Sequence, residues 1–292
     1  MIFNRPETTE RVFQQIRAIK PKYLFISADG PRPHIQDESK LCAQARAVVK
    51  NIDWKCELRT KYSDNNKGCK TAVSSAITWF FENVKEGVIL EDDCLPDPSF
   101  FQFCAALLEY YRNNERIMHI SGANFQDGSK FGTGSYYFSS LNHVWGWATW
   151  RRAWNNYDVN IKSYPQYLHN GKLLRLLPDP VIYKYWKRNF DLVYEQKKDT
   201  WDFQWQYASF LHQGLAVIPN DNLISNIGFD HNATHTIDLF DSLANRPTQT
   251  LKDIRHPRAI HIETEADLYT YTNYLSPPKW KKLLSLVIRK FR

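Results

Sequence analysis

The feature that most constrains this chain is the run Gly87-Val88-Ile89-Leu90-Glu91-Asp92-Asp93-Cys94-Leu95-Pro96, where an apolar stretch ends in three consecutive carboxylates. Val88 to Leu90 reads as a short buried strand with the acids at its carboxyl end, the place where open α/β sheets bind ligands. Adjacent carboxylates repel one another and resist leaving water, so a buried strand end carries them when a cation or a hydroxyl-rich ligand compensates. Hard oxygen donors of this kind suit Mg²⁺ or Mn²⁺, ions that also hold substrate phosphates. A bare acidic triplet reads equally as a solvated turn. The apolar strand before it and the remainder of the chain tilt the balance toward a site.

The residues ahead of that run alternate between strand and helix. Met1-Ile2-Phe3 is a strand stub, short against the usual five or six residues, and the expectation is that the chain enters inside its first strand. Pro6 opens a helix with Val12, Phe13 and Ile16 on one face. Tyr23 to Ala28 is a second strand ending in Asp29-Gly30-Pro31. Asp29 there is either a turn starter, the favoured reading in isolation, or a carboxylate aimed at a nucleotide. A polar helix follows over Asp37 to Lys50, then a third strand over Lys55 to Tyr62. The loop Asn65-Asn66-Lys67-Gly68 leads into a helix with Cys69, Ala72, Val73, Ala76, Ile77, Phe80 and Val84 on one stripe. This βαβαβαβ order predicts an α/β fold with a mostly parallel, nucleotide-binding type of sheet. Neither GxGxxG nor GxxxxGK[ST] occurs, which counts against dinucleotide dehydrogenases and P-loop enzymes.

Beyond the acids, Pro98 starts a helix and Arg116 to Ser121 forms a strand. Gln126 to Gly134 reads as a mobile loop, a candidate lid, and Tyr136 to Ser139 as a short strand. The stretch Trp145-Gly146-Trp147-Ala148-Thr149-Trp150-Arg151-Arg152-Ala153-Trp154 holds four tryptophans in ten residues. Trp150 and Trp154, at i,i+4 spacing, read as the core side of a starting helix. Trp145-Gly146-Trp147 reads either that way or as a ring platform beside a close backbone approach. Tyr157 to Lys198 is helical and reads as an insertion over one sheet edge. Asp202, in Asp199-Thr200-Trp201-Asp202, opens a helix that runs through Leu211. It is a dipole-favoured acid or a general base in an aromatic surround. Leu215 to Ile218 is a late strand, and the loop after it carries His231 and His235, of which His235 is a candidate metal neighbour.

The balance of charge excludes little. A net charge of +7 admits a nucleic-acid binder, but the basic residues are dispersed and no nucleic-acid motif occurs. Five cysteines without CxxC spacing read as reduced, mostly buried thiols of a cytoplasmic protein, and no apolar run reaches the length of a membrane span. Lys279 to Arg292 alternates Trp280, Leu283, Leu284, Val287, Ile288 and Phe291 with cations. It reads as a basic amphipathic helix lying on an anionic membrane face, or else docked on the domain.

In order, Asn4-Arg5, Asp29, Gly68, Glu91-Asp92-Asp93, Trp145-Gly146-Trp147, Trp201-Asp202 and a late His loop together resemble GT-A glycosyltransferases. The resemblance is to the N-acetylglucosaminyltransferase I type and its bacterial relatives in polysaccharide biosynthesis, and it covers about Met1 to His235. It implies a three-layer α/β/α sandwich with a mixed, mostly parallel sheet. It also implies a domain over 1–240, with a nucleotide-binding half over 1–121 and an acceptor half over 122–240, followed by an extension over 241–292. By the resemblance, Asn4, Arg5, Asp29, Gly68 and Asp92 would bind the nucleotide, with Asp29 at the uracil edge and Asp92 at the ribose. Asp93 would carry the Mn²⁺ or Mg²⁺ that bridges the donor diphosphate, with His235 nearby. Glu91, Trp145, Gly146, Trp147 and Trp201 would line the donor and acceptor sugars, and Asp202 would be the general base.

The expected activity is inverting transfer of a sugar from a nucleotide diphosphate, a UDP-sugar by preference, to a glycan or lipid-linked glycan. The leaving diphosphate gathers negative charge that a cation stabilises, and the acceptor hydroxyl needs a carboxylate to take its proton. One base opposite the leaving group gives inversion, as in inverting glycosidases. A sugar-nucleotide pyrophosphorylase is the rival enzyme, yet Asn4-Arg5-Pro6-Glu7 lacks the Gly-rich basic loop that a triphosphate needs. A non-catalytic nucleotide- or glycan-binding protein is the rival of another class, and the retained Asp93 and Asp202 argue against it.

Overall fold

In a computed structural model of the protein, residues 1–229 and 243–276 are described. The chain opens with Pro6 at the first position of α1 (Pro6–Ile19), where a missing N–H leaves no bond unmade. There follow β1 (Tyr23–Ala28), α2 (Glu38–Val48), β2 (Glu57–Tyr62), α3 (Gly68–Asn83) and β3 (Glu86–Ile89). β1 and β2 pair in parallel from Tyr23↔Glu57 to Ala28↔Tyr62. Ile2 bridges Ala28 in parallel, and the Met1 ammonium donates to the Leu90 carbonyl at 2.7 Å. Residues 1–3 thus sit as a strand end between β1 and the end of β3.

The second half holds β4 (Cys94–Pro96), α4 (Pro98–Tyr110), β5 (Ile117–Ser121), β6 (Tyr136–Ser139), β7 (Trp147–Trp150) and α5 (Arg151–Trp154). It continues through α6 (Tyr164–His169), α7 (Lys172–Leu176), α8 (Pro180–Tyr194), α9 (Asp202–Leu211), β8 (Leu215–Pro219), β9 (Ile224–Asn226) and α10 (Thr264–Thr270). Five strands form a mixed open sheet in the order β3-β7-β5-β8-β6. The fold is therefore mixed α/β, but the expected parallel dominance does not extend to this sheet. β5 and β8 are parallel, while β3–β7, β5–β7 and β6–β8 are antiparallel.

The difference traces to Trp147–Trp150, the strand β7 between β3 and β5, where Trp150 was expected in a starting helix and Trp147 either there or in a ring platform. All four of its residues are buried, so both of its faces are covered. A run of aromatic, small and β-branched residues meets that demand in an extended conformation. Trp150 and Trp154 are core residues, as their spacing suggests. The acids turn the chain directly into β4, paired antiparallel with β9 through Cys94↔Asn226.

Helices α6 to α8 gather an apolar cluster around Trp186 and Phe190, joined by Tyr207, Phe210 and Tyr271. The C-terminal segment is built into the same body. Leu251, Ile254 and Ile260 pack on the main core, and Ala266 of α10 is buried with Tyr137, Ala216 and Ile218. The stretch expected as a mobile lid is tied down at several points. Gln126 Nε2 donates to Ala266 O and Thr270 Oγ1, Phe131 N donates to Asn220 Oδ1, and Asp127 accepts from Tyr269, Tyr274 and Arg246. The five cysteines are free thiols, three of them buried. Among the described residues no helix is long and apolar enough to cross a membrane. The amphipathic stretch Lys279 to Arg292 lies outside the described residues, as do His231 and His235.

Asp267 anchors α10, accepting from Ser140 N at 2.9 Å, from Ser140 Oγ at 2.6 Å and from Ser139 Oγ. Its carboxylate is buried, and burial raises its pKa against the pull of those donors. Replacing Asp267 with Ala strands these buried donors, a loss of about 1–3 kcal/mol. Asp267→Ala is expected to lower the melting temperature and to speed amide exchange across Thr264–Thr270. Unchanged exchange there would show that α10 is held by its apolar face alone.

Candidate active site

The carboxyl ends of residues 1–3, β1 and β3 open onto one cavity of about 790 Å³. Its floor carries Glu91, Asp92 and Asp93, and its far wall carries the segment Lys197 to Phe203. α3 begins at its side, and Trp145 and Asn226 lie along its edge.

Each acid has a different setting. Asp92 is buried and fully engaged: one oxygen meets the Arg5 guanidinium and the other accepts from Phe3 N at 3.0 Å. Arg5 reaches Asp93 as well, with Nη1 to Oδ2 at 3.1 Å. Two carboxylates on one guanidinium hold Arg5 firmly protonated although it is largely buried. Among the described residues Glu91 has no such partner. Burial first, then Asp93 and Asp92, push its pKa up to about 8. The strand end thus combines two carboxylates that share one guanidinium with a carboxyl that holds a proton near neutral pH.

Asp93, like Glu91, is partly exposed and lines the cavity, and of these two it is the one that Arg5 holds in place. Mg²⁺ and Mn²⁺ take one or two protein carboxylates and complete their shells with phosphates and water, so a single Asp93 suits such an ion arriving with a diphosphate. Among the described residues no group of three ligating side chains forms a closed metal cage. The chain after β9 lies over this acid. Ile227 N donates to Asp93 O at 2.8 Å, and a Cβ on Gly228 would fall 2.3 Å from Asp93 Oδ2 and 2.4 Å from Arg5 Nη1. Position 228 therefore has room for glycine alone unless the Arg5–Asp93 pair moves.

The far wall is fixed by a long-range cap. Asp199 accepts from Cys69 N and Lys70 N, each at 3.0 Å, satisfying orphan donors in the first turn of α3. Gly68, at φ +75°, lets that carboxylate approach, since a Cβ there would lie 2.9 Å from Asp199 Oδ2. Three residues later Asp202 opens α9 and accepts from Thr200 Oγ1. Its negative charge raises the pKa of two phenols already raised by burial, Tyr157 and Tyr185, so the acid stands in an aromatic surround. The Lys198 ammonium lies 3.7 Å from the centre of the Phe203 ring. Burial lowers its pKa, and Asp202 opposes that shift.

Of the residues singled out in the sequence, the cavity gathers Arg5, Asp29, Gly68, Glu91, Asp92, Asp93, Trp145, Trp201 and Asp202. Asp29 spends its carboxylate on the loop beside it, accepting from Gly30 N at 2.8 Å, Asn66 Nδ2 at 3.0 Å and Lys67 N at 3.0 Å. Asn4, Gly146 and Trp147 are not on the cavity walls. Asn4 bonds to Glu38, itself paired with Arg32, and Gly146 packs under Ile224 and Leu90. Trp147 is buried among Trp201, Trp205 and His119. Sequence reasoning passed over Arg32, Asn66, Lys198, Asp199 and Asn226 as lining residues. The Asn-Asn-Lys-Gly loop and the acid three residues before Asp202 were the available signals.

Two tests follow from this geometry. Gly228→Val forces the Arg5–Asp93 pair apart and is expected to cost about 1–3 kcal/mol of stability, read by denaturant unfolding. Glu91 supplies a pH signature. Its pKa moves from the ordinary 4.5 to about 8 in the native state, so between those values the native protein holds a proton that the unfolded chain releases. Stability then falls as pH rises through that window. In metal-free buffer the melting temperature is expected to drop more steeply from about pH 5 to 8 for the unaltered protein than for Glu91→Gln. Parallel profiles would rule the perturbed carboxyl out.

No model of a known protein family and no curated protein sequence matches this chain.

Proposed function

We propose that the cavity is the donor site of a metal-dependent, inverting glycosyltransferase of GT-A architecture. The donor is a nucleotide-diphosphate sugar, with UDP the best-fitting nucleotide, and the acceptor is a glycan or lipid-linked glycan. One observation carries the reading: Glu91-Asp92-Asp93 and Asp202, more than a hundred residues apart in the chain, line the same cavity.

Asp93 is the residue to hold Mn²⁺ or Mg²⁺, with His235 as a further candidate. The ion would stabilise charge on the departing diphosphate. The chain's own residues supply the rest. Arg5 offsets the charge of Asp92 and Asp93, so the strand end tolerates burial without a ligand. Lys198, with Lys197 beside it, offers positive charge to an anionic donor on the far wall. Trp145, held edge-on by Phe125 and Phe229, offers an aromatic face at the rim for a sugar ring. Asp202 takes the proton of the attacking hydroxyl, and Glu91, protonated near neutral pH, can donate a hydrogen bond to a sugar oxygen.

Thermal shift with UDP, GDP, CDP and dTDP, each with and without Mn²⁺, tests the reading. UDP is expected to raise the melting temperature when Mn²⁺ is present, and Asp93→Ala to abolish the metal dependence. Asp202→Asn is expected to keep that shift while lowering transfer from a UDP-sugar about 10²–10⁴-fold. A nucleotide shift that ignores both the metal and Asp93→Ala would sink the metal-dependent reading. Full transfer by Asp202→Asn would remove Asp202 as the base.

A further inference from the structure

Helices α7 and α8 present a side of the molecule that is neither core nor an ordinary solvated face. Leu173 of α7 and Leu177 just beyond it, four residues apart, are buried in the cluster around Trp186 and Phe190. The residues between and after them turn outward. From Leu174 to Val181 only Leu177 is buried, and all the others stand exposed. Leu174, Leu176 and Val181 are 51%, 36% and 60% exposed, with Pro178 and Pro180 among them. Single exposed apolar side chains are ordinary, but five within eight residues make a patch.

Cations frame this patch. Basic residues that are dispersed over the whole sequence gather here: Lys172 and Arg175 on α7, and Lys184, Lys187 and Arg188 on α8. Val181, Lys184 and Arg188, at i, i+3 and i+7, share the exposed stripe of α8, whose other side buries Trp186, Phe190 and Val193. The one acid between positions 171 and 188 is Asp179. Its carboxylate is spent on capping α8, accepting from Val181 N at 2.8 Å and Ile182 N at 2.9 Å. Lys187 pairs with Asp191 at 2.8 Å. Among the described residues no carboxylate pairs with Lys172, Arg175, Lys184 or Arg188.

We propose that this face of α7 and α8 lies on an anionic lipid bilayer. Leu174, Leu176 and Val181 enter the boundary between headgroups and acyl chains, and the four unpaired cations meet lipid phosphates. Apolar side chains rimmed by cations match that boundary, because lipid chains take the first and anionic headgroups the second. A nucleic acid would meet the cations and leave the leucines in water. A second copy of the chain would set like charges against each other across a symmetry axis. What lies behind the face fits as well. Trp186 of α8 meets Phe203 of α9 edge-on, and Asn189 Oδ1 accepts from Lys198 Nζ at 3.0 Å, so α8 backs the cavity wall that carries Asp202. Membrane contact does not rest on the glycosyltransferase reading; under that reading it places the acceptor at the lipid surface and favours a lipid-linked glycan over a free one.

In the test, the full chain is sedimented with vesicles of phosphatidylcholine alone and of phosphatidylcholine mixed equally with phosphatidylglycerol, at low and high salt. Binding is expected only to the anionic vesicles, and more weakly at high salt. Leu174→Ser with Val181→Ser, and separately Lys172→Glu with Arg175→Glu, are each expected to cut partitioning about tenfold without moving the melting temperature. Amide exchange across 172–184 should slow on the anionic vesicles. Unchanged partitioning in both pairs would place the contact elsewhere, Lys279 to Arg292 included, and overturn the proposal. So would the absence of binding to either kind of vesicle. Loss of binding in the Glu pair alone would reduce the face to a polyanion contact and overturn the insertion of the leucines. Self-association in solution that the Ser pair abolishes, with vesicle binding intact, would overturn it in favour of a second copy.

Discussion

One guanidinium holds the centre of this molecule together. Arg5 bridges Asp92 and Asp93, and its loop is the hinge between the strand stub and α1. A buried ion pair adds little net stability, because desolvation offsets most of the attraction. Its contribution is positional. With both carboxylates paired to one cation and half of their charge offset, β3 can end in acids inside the protein, residues 1–3 can lie beside them, and Gly228 can close over the pair. Removing the cation from this arrangement would leave adjacent carboxylates facing each other in a poorly hydrated place.

Behind the acids stands a rigid aromatic block. His119 accepts from Trp205 Nε1 at 3.1 Å, stacks on Trp147 and shares its other nitrogen with Ser121 and His143 O. Burial lowers its pKa to about 3, so it is neutral near physiological pH. It serves as a polar tie inside an apolar stack. The same block explains why the Trp145-Gly146-Trp147 motif divides as it does: Gly146 at φ +58° turns the chain, sending Trp145 to the cavity rim and Trp147 inward.

The alternation of strands and helices through Glu91 was legible because α1 and α3 carry apolar stripes and β1 and β3 short apolar runs, with the polar α2 and β2 read from their place between them. The antiparallel β7 was not. Trp147 to Trp150 followed by Arg-Arg-Ala-Trp has apolar residues at both helical and strand spacing, and pairing with β3 and β5 decided between them. Glu91, Asp92, Asp93 and Asp202 were visible as acids beside apolar runs, where carboxylates are out of place without a reason. Asp199 and Gly228 were not visible as site residues. Their importance lies in contacts with Cys69, Lys70, Arg5 and Asp93 that no local pattern encodes.

The cap on α3 bears on how the chain becomes folded. A helix whose first donors are satisfied by a carboxylate 130 residues later gains that cap only after the later segment has been made. On a ribosome, the amino-terminal half can assemble its parallel strands and most of α3 while the Lys198-Asp199 segment is still being made. Until then the donors of its opening turn face water, and the far wall of the cavity does not yet exist. Closure of the pocket is therefore a late event in the chain's biosynthesis, set by loop closure over long sequence separation more than by helix propensity.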